Sequence, residues 1–586
     1  MPVLELPATA YRTRFFLGAI SSIQWPFSFT FILLKLIGDS SLLLRIALYA
    51  ASLPIWIGIT EWYNEWRNDR LAREHGAQTI PSVKGKWPGN VDIMLRLGKD
   101  LRTGYVMQVF TDLLDEHHCD TLNVRILWRS MIISRDDLVI KSVHSTKFLA
   151  FERGFEGREW MGTFLGRGIF VSDGEEWKQN RAMIRPFFSK ERISDVNIVD
   201  THADKAISIL TEAAQSNTVV DLQDIYARFT LDAGADFLLG MKTKSLSAPR
   251  PVAFTARLGA KGAATDGDFG SFAYAFDHIQ VVIALRTRVG KVWPLYELFG
   301  DRTLPDAKVI TDWVKPRVEE ALQEKAKRRQ DGLSQGKSDR TLLDTLIEQT
   351  EDEAAVRYGL LNVLMASRDT TAALLSFTTY LLCLHPQAMQ RLRQEVLESC
   401  GQTGQPSRES LQKLPYMTAV LNESLRLFPP APRGTRQAIK DTYVTSAEHG
   451  TFIHIPKGSR LNWNTVALHR RPDFWGEDAE DFVPQRWLDP EIAKRIAERP
   501  SMYIPFLQGP RVCPGQDFAK LQVAYLLSRI LQKFSQIELV PEALPKDAIP
   551  PEHWKQRKGR QSTEQCWPST AFTLFMKGGM WVRVHE

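Results

Sequence analysis

Two stretches near the start of the chain carry no charge: Phe15 to Leu34, twenty residues, and Ile46 to Thr60, fifteen. A hydrocarbon core takes about twenty mostly apolar residues per helix. The first stretch is therefore long enough to cross a membrane, although Ser21, Ser22, Gln24 and Pro26 interrupt it. The second is long enough only if Arg45 reaches back to the interface. Two arrangements stay open: a hairpin of two spans over about 15–34 and 46–60, or one span with the other segment lying in the interface. A pair of buried core helices is the reading without a membrane. Arg67, Arg70 and Arg73 follow the second stretch and by the positive-inside rule put the rest of the chain on the cytosolic side. The start lacks the charged head and small-residue cleavage site of a secretory leader, and is not the Arg/Ser-rich amphipathic segment of a transit peptide.

Further on, alternation predicts short strands near Tyr105 to Val109, Asn123 to Leu127 and Met131 to Ser134, then mostly helices from Asp137 to about Phe428. One helix, Val356 to Leu382, is apolar almost throughout, which makes its polar run Ser367-Arg368-Asp369-Thr370-Thr371 costly to bury and therefore informative. Strands return near Thr451 to Ile455 and Phe572 to Met576. The latter passes through Gly578-Gly579 into Met580 to Val584, which predicts a hairpin. A helix is expected over 516–534, and the Gly/Ser/Lys/Asp-rich stretch Gln330 to Arg340 reads as a surface loop. The class is mainly α with small β-sheets.

Charge narrows the function classes. The net charge is +6, but 74 basic residues are scattered among 68 acidic ones, which is no nucleic-acid footprint. The basic run Lys325 to Arg329 reads as a solvated helix end. Five cysteines, Cys119, Cys383, Cys400, Cys513 and Cys566, are dispersed without a C-x-x-C pair. That argues against a disulfide framework or a zinc site and fits a reducing compartment. With 44% hydrophobic residues and no long low-complexity linker, the chain can bury one large core.

Of the five cysteines, Cys513 stands in Phe506-Leu507-Gln508-Gly509-Pro510-Arg511-Val512-Cys513-Pro514-Gly515, just before the expected helix. A buried thiolate needs donors and a positive field, and a loop feeding a helix N-terminus supplies both. The glycines allow close approach to a flat ligand, and Arg511 can pair with an acidic group on its rim. Upstream, Glu423 and Arg426 share one helix face at i, i+3 spacing, and Leu427-Phe428-Pro429-Pro430 ends that helix. Trp177 and Arg181 lie one turn apart in Trp177-Lys178-Gln179-Asn180-Arg181. Each of these alone would be an inert core cysteine, an exposed ion pair or a solvated helix face.

Taken in order, these motifs resemble the cytochrome P-450 superfamily. The resemblance implies a P-450 fold with haem b between the long central helix and the Cys loop, and Cys513 as the axial thiolate on iron. Residues 1–75 would form the membrane anchor and juxtamembrane linker, and 76–586 the catalytic domain. By resemblance Phe506 and Gly515 shape the ligand loop, while Trp177, Arg181, Arg436 and Arg511 hold the haem propionates. Arg486, in Phe482-Val483-Pro484-Gln485-Arg486-Trp487, completes a structural network with Glu423 and Arg426. Asp369 and Thr370 match the acid–alcohol pair that handles protons during oxygen activation. Pocket walls are expected near Phe148 to Phe151, Val363, Ala366, Ala431 to Arg433 and Phe572.

Leu165 to Gly174, Arg368 to Thr371 and His469-Arg470-Arg471-Pro472-Asp473 are similar to fungal microsomal enzymes that hydroxylate n-alkanes and fatty acids. The resemblance implies a hydrophobic small-molecule substrate, O2, and electrons from NADPH–cytochrome P-450 reductase, with cytochrome b5 as a second donor. It also implies contact with membrane lipid, in the endoplasmic reticulum membrane with the catalytic domain facing the cytosol. The family pattern is broken at Ser367, where Gly is usual, and at Gln485, where Glu is usual. Two other classes remain: a haem-thiolate isomerase or dehydratase that uses neither O2 nor reductase, and a non-catalytic haem-binding or redox-sensing membrane protein.

Overall fold

The computed structural model describes residues 10–38, 41–188, 196–255, 258–259, 261, 267–331 and 341–586. The expected surface loop Gln330 to Arg340 falls almost wholly outside them. Lys325 to Arg329 lie in the last turns of a helix, Leu304–Gln330, where Lys327 and Arg329 are solvated but Lys325 is mostly covered, its Nζ donating to the Ile347 carbonyl.

The chain starts as two long helices, α1 (Tyr11–Ile37) and α2 (Leu42–Glu74). Their apolar side chains, Phe16, Ile20, Trp25, Phe29, Leu36, Leu43 and Ile55 among them, face outward. Hydroxyls inside them bond to their own helix, Thr30 to the Pro26 carbonyl at 2.8 Å and Thr60 to that of Trp56 at 2.9 Å. Such back-bonding leaves few polar groups needing water. The second apolar stretch is part of a longer helix: α2 continues through the polar segment Glu61–Glu74, so the residues expected to form a linker are helical.

The central helix, Glu353–Leu384, opens on an Asp352 cap that accepts from the backbone N–H groups of Ala354 and Ala355. It ends at His385, before Pro386. It is buried nearly all round, as a helix apolar on every face must be. Against it pack Leu222–Leu239, Pro415–Leu427 and Gln516–Lys533.

A five-stranded sheet flanks this helical body, in spatial order Thr121–Asn123, Met131–Ser134, Arg460–Asn464, Arg433–Ala438, Phe151–Glu152. Arg433 faces Asn464 and Arg436 faces Leu461 across the ladder. Three residues apart on one strand, these two arginines point to opposite faces.

Three sequence expectations need correction. Tyr105 to Val109 is no strand: the chain turns at Met107 (φ 59°) into a helix, Gln108–Glu116. The apolar residues that continue the segment, Val109, Phe110, Leu113 and Leu114, recur at helical spacing and fill the core. The strand expected over Asn123 to Leu127 ends at Asn123, because Arg125, Leu127 and Trp128 adopt positive φ. The third concerns the C-terminal hairpin. Leu574–Met576 pairs with Pro568–Thr570, whereas Trp581–His585 pairs with Gln536–Leu539 and Val220–Asp221. Gly578 (φ 80°) and Gly579 (φ 87°) swing the chain from one sheet to another. A Cβ on Gly579 would lie 2.3 Å from Asp221 Oδ2, and the Met580 N–H donates to Asp221 Oδ1 at 2.8 Å.

Candidate active site

The loop before the helix Gln516–Lys533 is closed by the Cys513 N–H donating to the Phe506 carbonyl at 2.9 Å. Gly509 takes φ 67°, and a Cβ there would lie 2.1 Å from the His144 carbonyl oxygen. No other residue fits that approach. Gly515 abuts the Phe188 ring, and the Phe506 ring lies 5.5 Å from Lys520 Nζ. Burial pushes the Cys513 thiol up, while the Gly515 N–H and Arg181 favour its thiolate. The loop thus offers one sulfur whose charged form is supported by donors and awaits a positive partner, and a metal ligand is deprotonated by the ion itself.

Behind the loop, Glu423 and Arg426 are both fully buried. The pair is bidentate, Arg426 Nε to Glu423 Oε2 at 2.8 Å and Nη2 to Oε1 at 2.9 Å. Arg486 Nε, Trp487 Nε1 and the Val483 N–H also donate to Glu423, at 3.0, 2.8 and 2.9 Å. Arg426 spends its other protons on the carbonyls of His469, Ala479 and Asp481. Burial alone would raise the Glu423 carboxyl, but Arg426 and Arg486 hold it below the usual carboxylate range. Gln485 is outside this network, with Nε2 3.5 Å from the Tyr416 hydroxyl, so replacement of the usual Glu removes no member of it. The network reaches the loop through His469, whose Nε2 accepts from the Ile504 N–H at 2.9 Å. Burial, then Arg426, drives His469 down to about 3 and keeps it a neutral acceptor.

On the other side of the loop four guanidinium groups converge. Arg181 donates to the Val512 carbonyl at 2.9 Å. Arg511 donates to the Ser172 carbonyl at 3.0 Å and to Asp173 Oδ1 at 2.9 Å, and lies over the buried Trp177 ring at 4.5 Å. Arg436 donates to the Thr435 carbonyl at 2.8 Å and lies over Trp463 at 5.7 Å. Arg153, which the sequence motifs missed, is the fourth, with Asp173 and Glu152 as the nearby acids. Burial, Arg153 and Arg511 push Arg436 well below the usual guanidinium range, and burial and Arg153 bring Arg511 down to about 10. Among the described residues, Arg436 Nη2, Arg511 Nε, Arg153 Nε and both ring nitrogens of buried His144 find no hydrogen-bond partner. A cationic cradle with orphaned donors calls for carboxylates, and the two propionates of haem fit it. No spacing rule marks Arg153 or His144, which the fold brings in.

The central helix supplies the opposite wall. Thr370 donates Oγ1 to the Ala366 carbonyl at 2.5 Å. Ser367 is turned away, bonded to the Leu364 carbonyl at 3.2 Å and lying beside Gly234, so it does not add a hydroxyl next to Thr370. Asp369 is buried in a four-charge cluster: Oδ2 accepts from Lys261 Nζ at 3.0 Å, Oδ1 from Arg368 Nη1 at 2.9 Å, and Arg368 also reaches Asp277 at 2.8 Å. Burial opposes its charge, yet Lys261 and Arg368 hold the Asp369 carboxyl below the usual range. Lys261 and Asp277 carried no sequence signal.

A cavity of about 1520 Å³ opens between α2, the five-stranded sheet and the helix Gly267–Val289. Of the expected wall residues, Arg433 and Phe572 line it. Phe148 to Phe151, Val363, Ala366 and Ala431 are not among its lining residues, and Val363 and Phe151 are packed in the core. Arg433 donates to Thr287 at 2.9 Å. Burial, then Arg288 and Arg460, lowers it to about 10.

The family model for cytochrome P450 matches residues 93–557. Among curated relatives, the cytochrome P450 monooxygenase himC of Aspergillus japonicus is 35% identical over 71% of this chain and 71% of its own length. The cytochrome P450 monooxygenase g430 of a Fusarium species is 32% identical over 82% and 83%. Cytochrome P450 52A12 of Debaryomyces hansenii is 33% identical over 71% and 79%. With a cysteine loop flanked by a cationic cradle and this span of similarity, the chain belongs to the cytochrome P450 family of haem-thiolate monooxygenases.

Proposed function

We propose that this monooxygenase is anchored in the endoplasmic reticulum membrane, faces the cytosol and hydroxylates an apolar substrate that ends in a carboxylate, of the long-chain fatty-acid class. Haem, when bound, supplies O2 activation and insertion of one oxygen atom into a C–H bond. Cys513 would ligate its iron; Trp177, Arg181, Arg436, Arg511 and Arg153 would hold its propionates; Phe506 and Gly515 would shape the ligand loop. Glu423, Arg426 and Arg486 brace that loop. Thr370, whose Oγ1 proton goes to the Ala366 carbonyl, would offer that oxygen's lone pairs to a proton on its way to the haem, and Asp369 would deliver protons once a partner of its ion cluster moves. Electrons would come from NADPH–cytochrome P450 reductase, with cytochrome b5 assisting.

The observation that carries the substrate class is Arg433, set in a cavity wall with apolar Ala284, Leu285 and Phe572. Its like-charged neighbours Arg288 and Arg460 leave demand for an anion there, met in part by Glu156, which already faces Arg129, Lys291 and Arg460. An acid at the end of a hydrocarbon chain would answer both features, and a neutral alkane only the second. Substrate-induced difference spectra test this with a long-chain acid, its methyl ester and the alkane of equal length. The acid should bind about tenfold more tightly than the ester, the worth of one charge-assisted hydrogen bond, and Arg433→Met should abolish that preference. An ester that binds as well as the acid would refute the carboxylate reading.

A further inference from the structure

We propose that α1 and α2 both cross the bilayer, as a hairpin with both feet on the catalytic domain, so that Tyr11 lies on the same side of the membrane as the haem site. The first foot is the start of α1. Tyr11 is buried against Trp293, ring centroids 4.3 Å apart, and Arg12 Nε donates to the Glu297 carbonyl at 2.8 Å. Arg14 pairs with Glu159 at 2.7 Å and lies over the Phe155 ring at 4.2 Å. Glu297 is itself buried and held bidentately by Arg286 at 2.8 and 2.6 Å, so this foot rests on a fixed ion cluster. The second foot is the polar end of α2. Glu61 and Glu65 both pair with Arg125, Arg67 pairs with Asp441 at 2.7 Å, and Tyr443 donates to the Leu71 carbonyl at 3.3 Å.

Between the feet the two helices lie along each other. Phe27 and Tyr49, at similar distances either side of the turn, meet edge to face at 5.2 Å, which makes the pair antiparallel. One span with its neighbour flat in the interface would need the helices roughly perpendicular, and α2 is continuous from Leu42 to Glu74. At 1.5 Å per residue, Phe15 to Leu34 spans about 30 Å and Leu42 to Thr60 about 28 Å, close to the hydrocarbon thickness. Charge has the same layout. Arg12 and Arg14 mark one foot and Arg67, Arg70 and Arg73 the other, whereas Lys35 and Arg45 lie near the turn, within reach of the far interface.

The test uses the full-length enzyme in sealed microsomes, with one epitope tag ahead of Met1 and, in a second protein, a tag carrying a glycosylation acceptor inserted after Gly38. Protease added outside should remove the Met1 tag without detergent. It should spare the Gly38 tag until detergent is added, and that tag should carry lumenal glycan. A protected Met1 tag would mean a single span and would overturn the proposal. An accessible, unglycosylated Gly38 tag would mean a hairpin that does not cross, and would overturn it equally.

Discussion

At the residue scale, Cys513 differs from the other four cysteines in its surroundings rather than its chemistry. Burial drives the Cys383 thiol up to about 12, and burial with Glu448 drives that of Cys119 to about 11 against Arg135 and the Thr121 N–H; neither lies on the loop beside the four-arginine cradle. Cys513→Ser should therefore abolish the red-shifted Soret band of the reduced, CO-bound enzyme, and Ser in place of any of the other four should leave it. A surviving band in Cys513→Ser would sink the ligand assignment. Among the described residues Thr370 bonds to a carbonyl of its own helix alone, so Thr370→Ala should fold and load haem normally, yet lose coupling, measured as product per NADPH oxidised, with peroxide making up the difference. Asp369→Asn should act on two properties. It should slow turnover by about a hundredfold, the low end of what a placed acid contributes, and it should destabilise the fold, because Lys261 and Arg368 then face Asp277 with one carboxylate fewer. Adding Lys261→Met should restore thermal stability but not turnover. If the double variant recovers both, Asp369 serves the fold and protons travel elsewhere.

At the element scale, the helix Pro415–Leu427 carries the largest single dependence. Glu423→Ala would leave Arg426 and Arg486 as neighbouring cations without their shared carboxylate, a loss of about 3–5 kcal/mol for a buried pair. Stable haem incorporation should fail, while Gln485→Glu should change stability by no more than about 0.5 kcal/mol. Normal haem content in Glu423→Ala would refute the bracing role. What could be read from the chain follows the same division. Groups that sit at fixed spacing on one element, such as Glu423 with Arg426 or Trp177 with Arg181, left a pattern. Arg153, His144, Lys261 and Asp277 left none, since their partners lie on other elements and only the folded chain brings them together. The errors in strand assignment have local causes. Alternation over Tyr105 to Val109 lost to the helical spacing that continues beyond it, and two consecutive positive-φ glycines took Trp581–His585 to a different sheet from the one a tight hairpin would give.

At the scale of the whole molecule, the two N-terminal helices and the helical body are joined by more than a tether, because the start of α1 and the end of α2 both rest on its side chains. Removing residues 1–60 would take away the apolar hairpin but keep Glu61–Glu74 on Arg125, Asp441 and Tyr443, and Glu297 would still be held by Arg286. The haem spectrum should therefore survive the truncation. Trp293 would lose the Tyr11 ring, so melting should occur at a lower temperature, by the equivalent of roughly 1.5–3 kcal/mol for one buried large side chain. Tyr11→Ala in the full-length enzyme should reproduce most of that loss without moving the protein off the membrane. The truncated enzyme should leave the carbonate-resistant fraction yet remain partly membrane-associated, because Leu295, Tyr296, Phe299 and Leu304 stay exposed beside the first foot, Phe299 completely. Phe299→Ser added to the truncation should then release it to the soluble fraction. A truncated protein that still resists carbonate would place the anchor elsewhere in the chain, and one that loses its haem spectrum would make the hairpin part of the catalytic fold rather than a support docked on it.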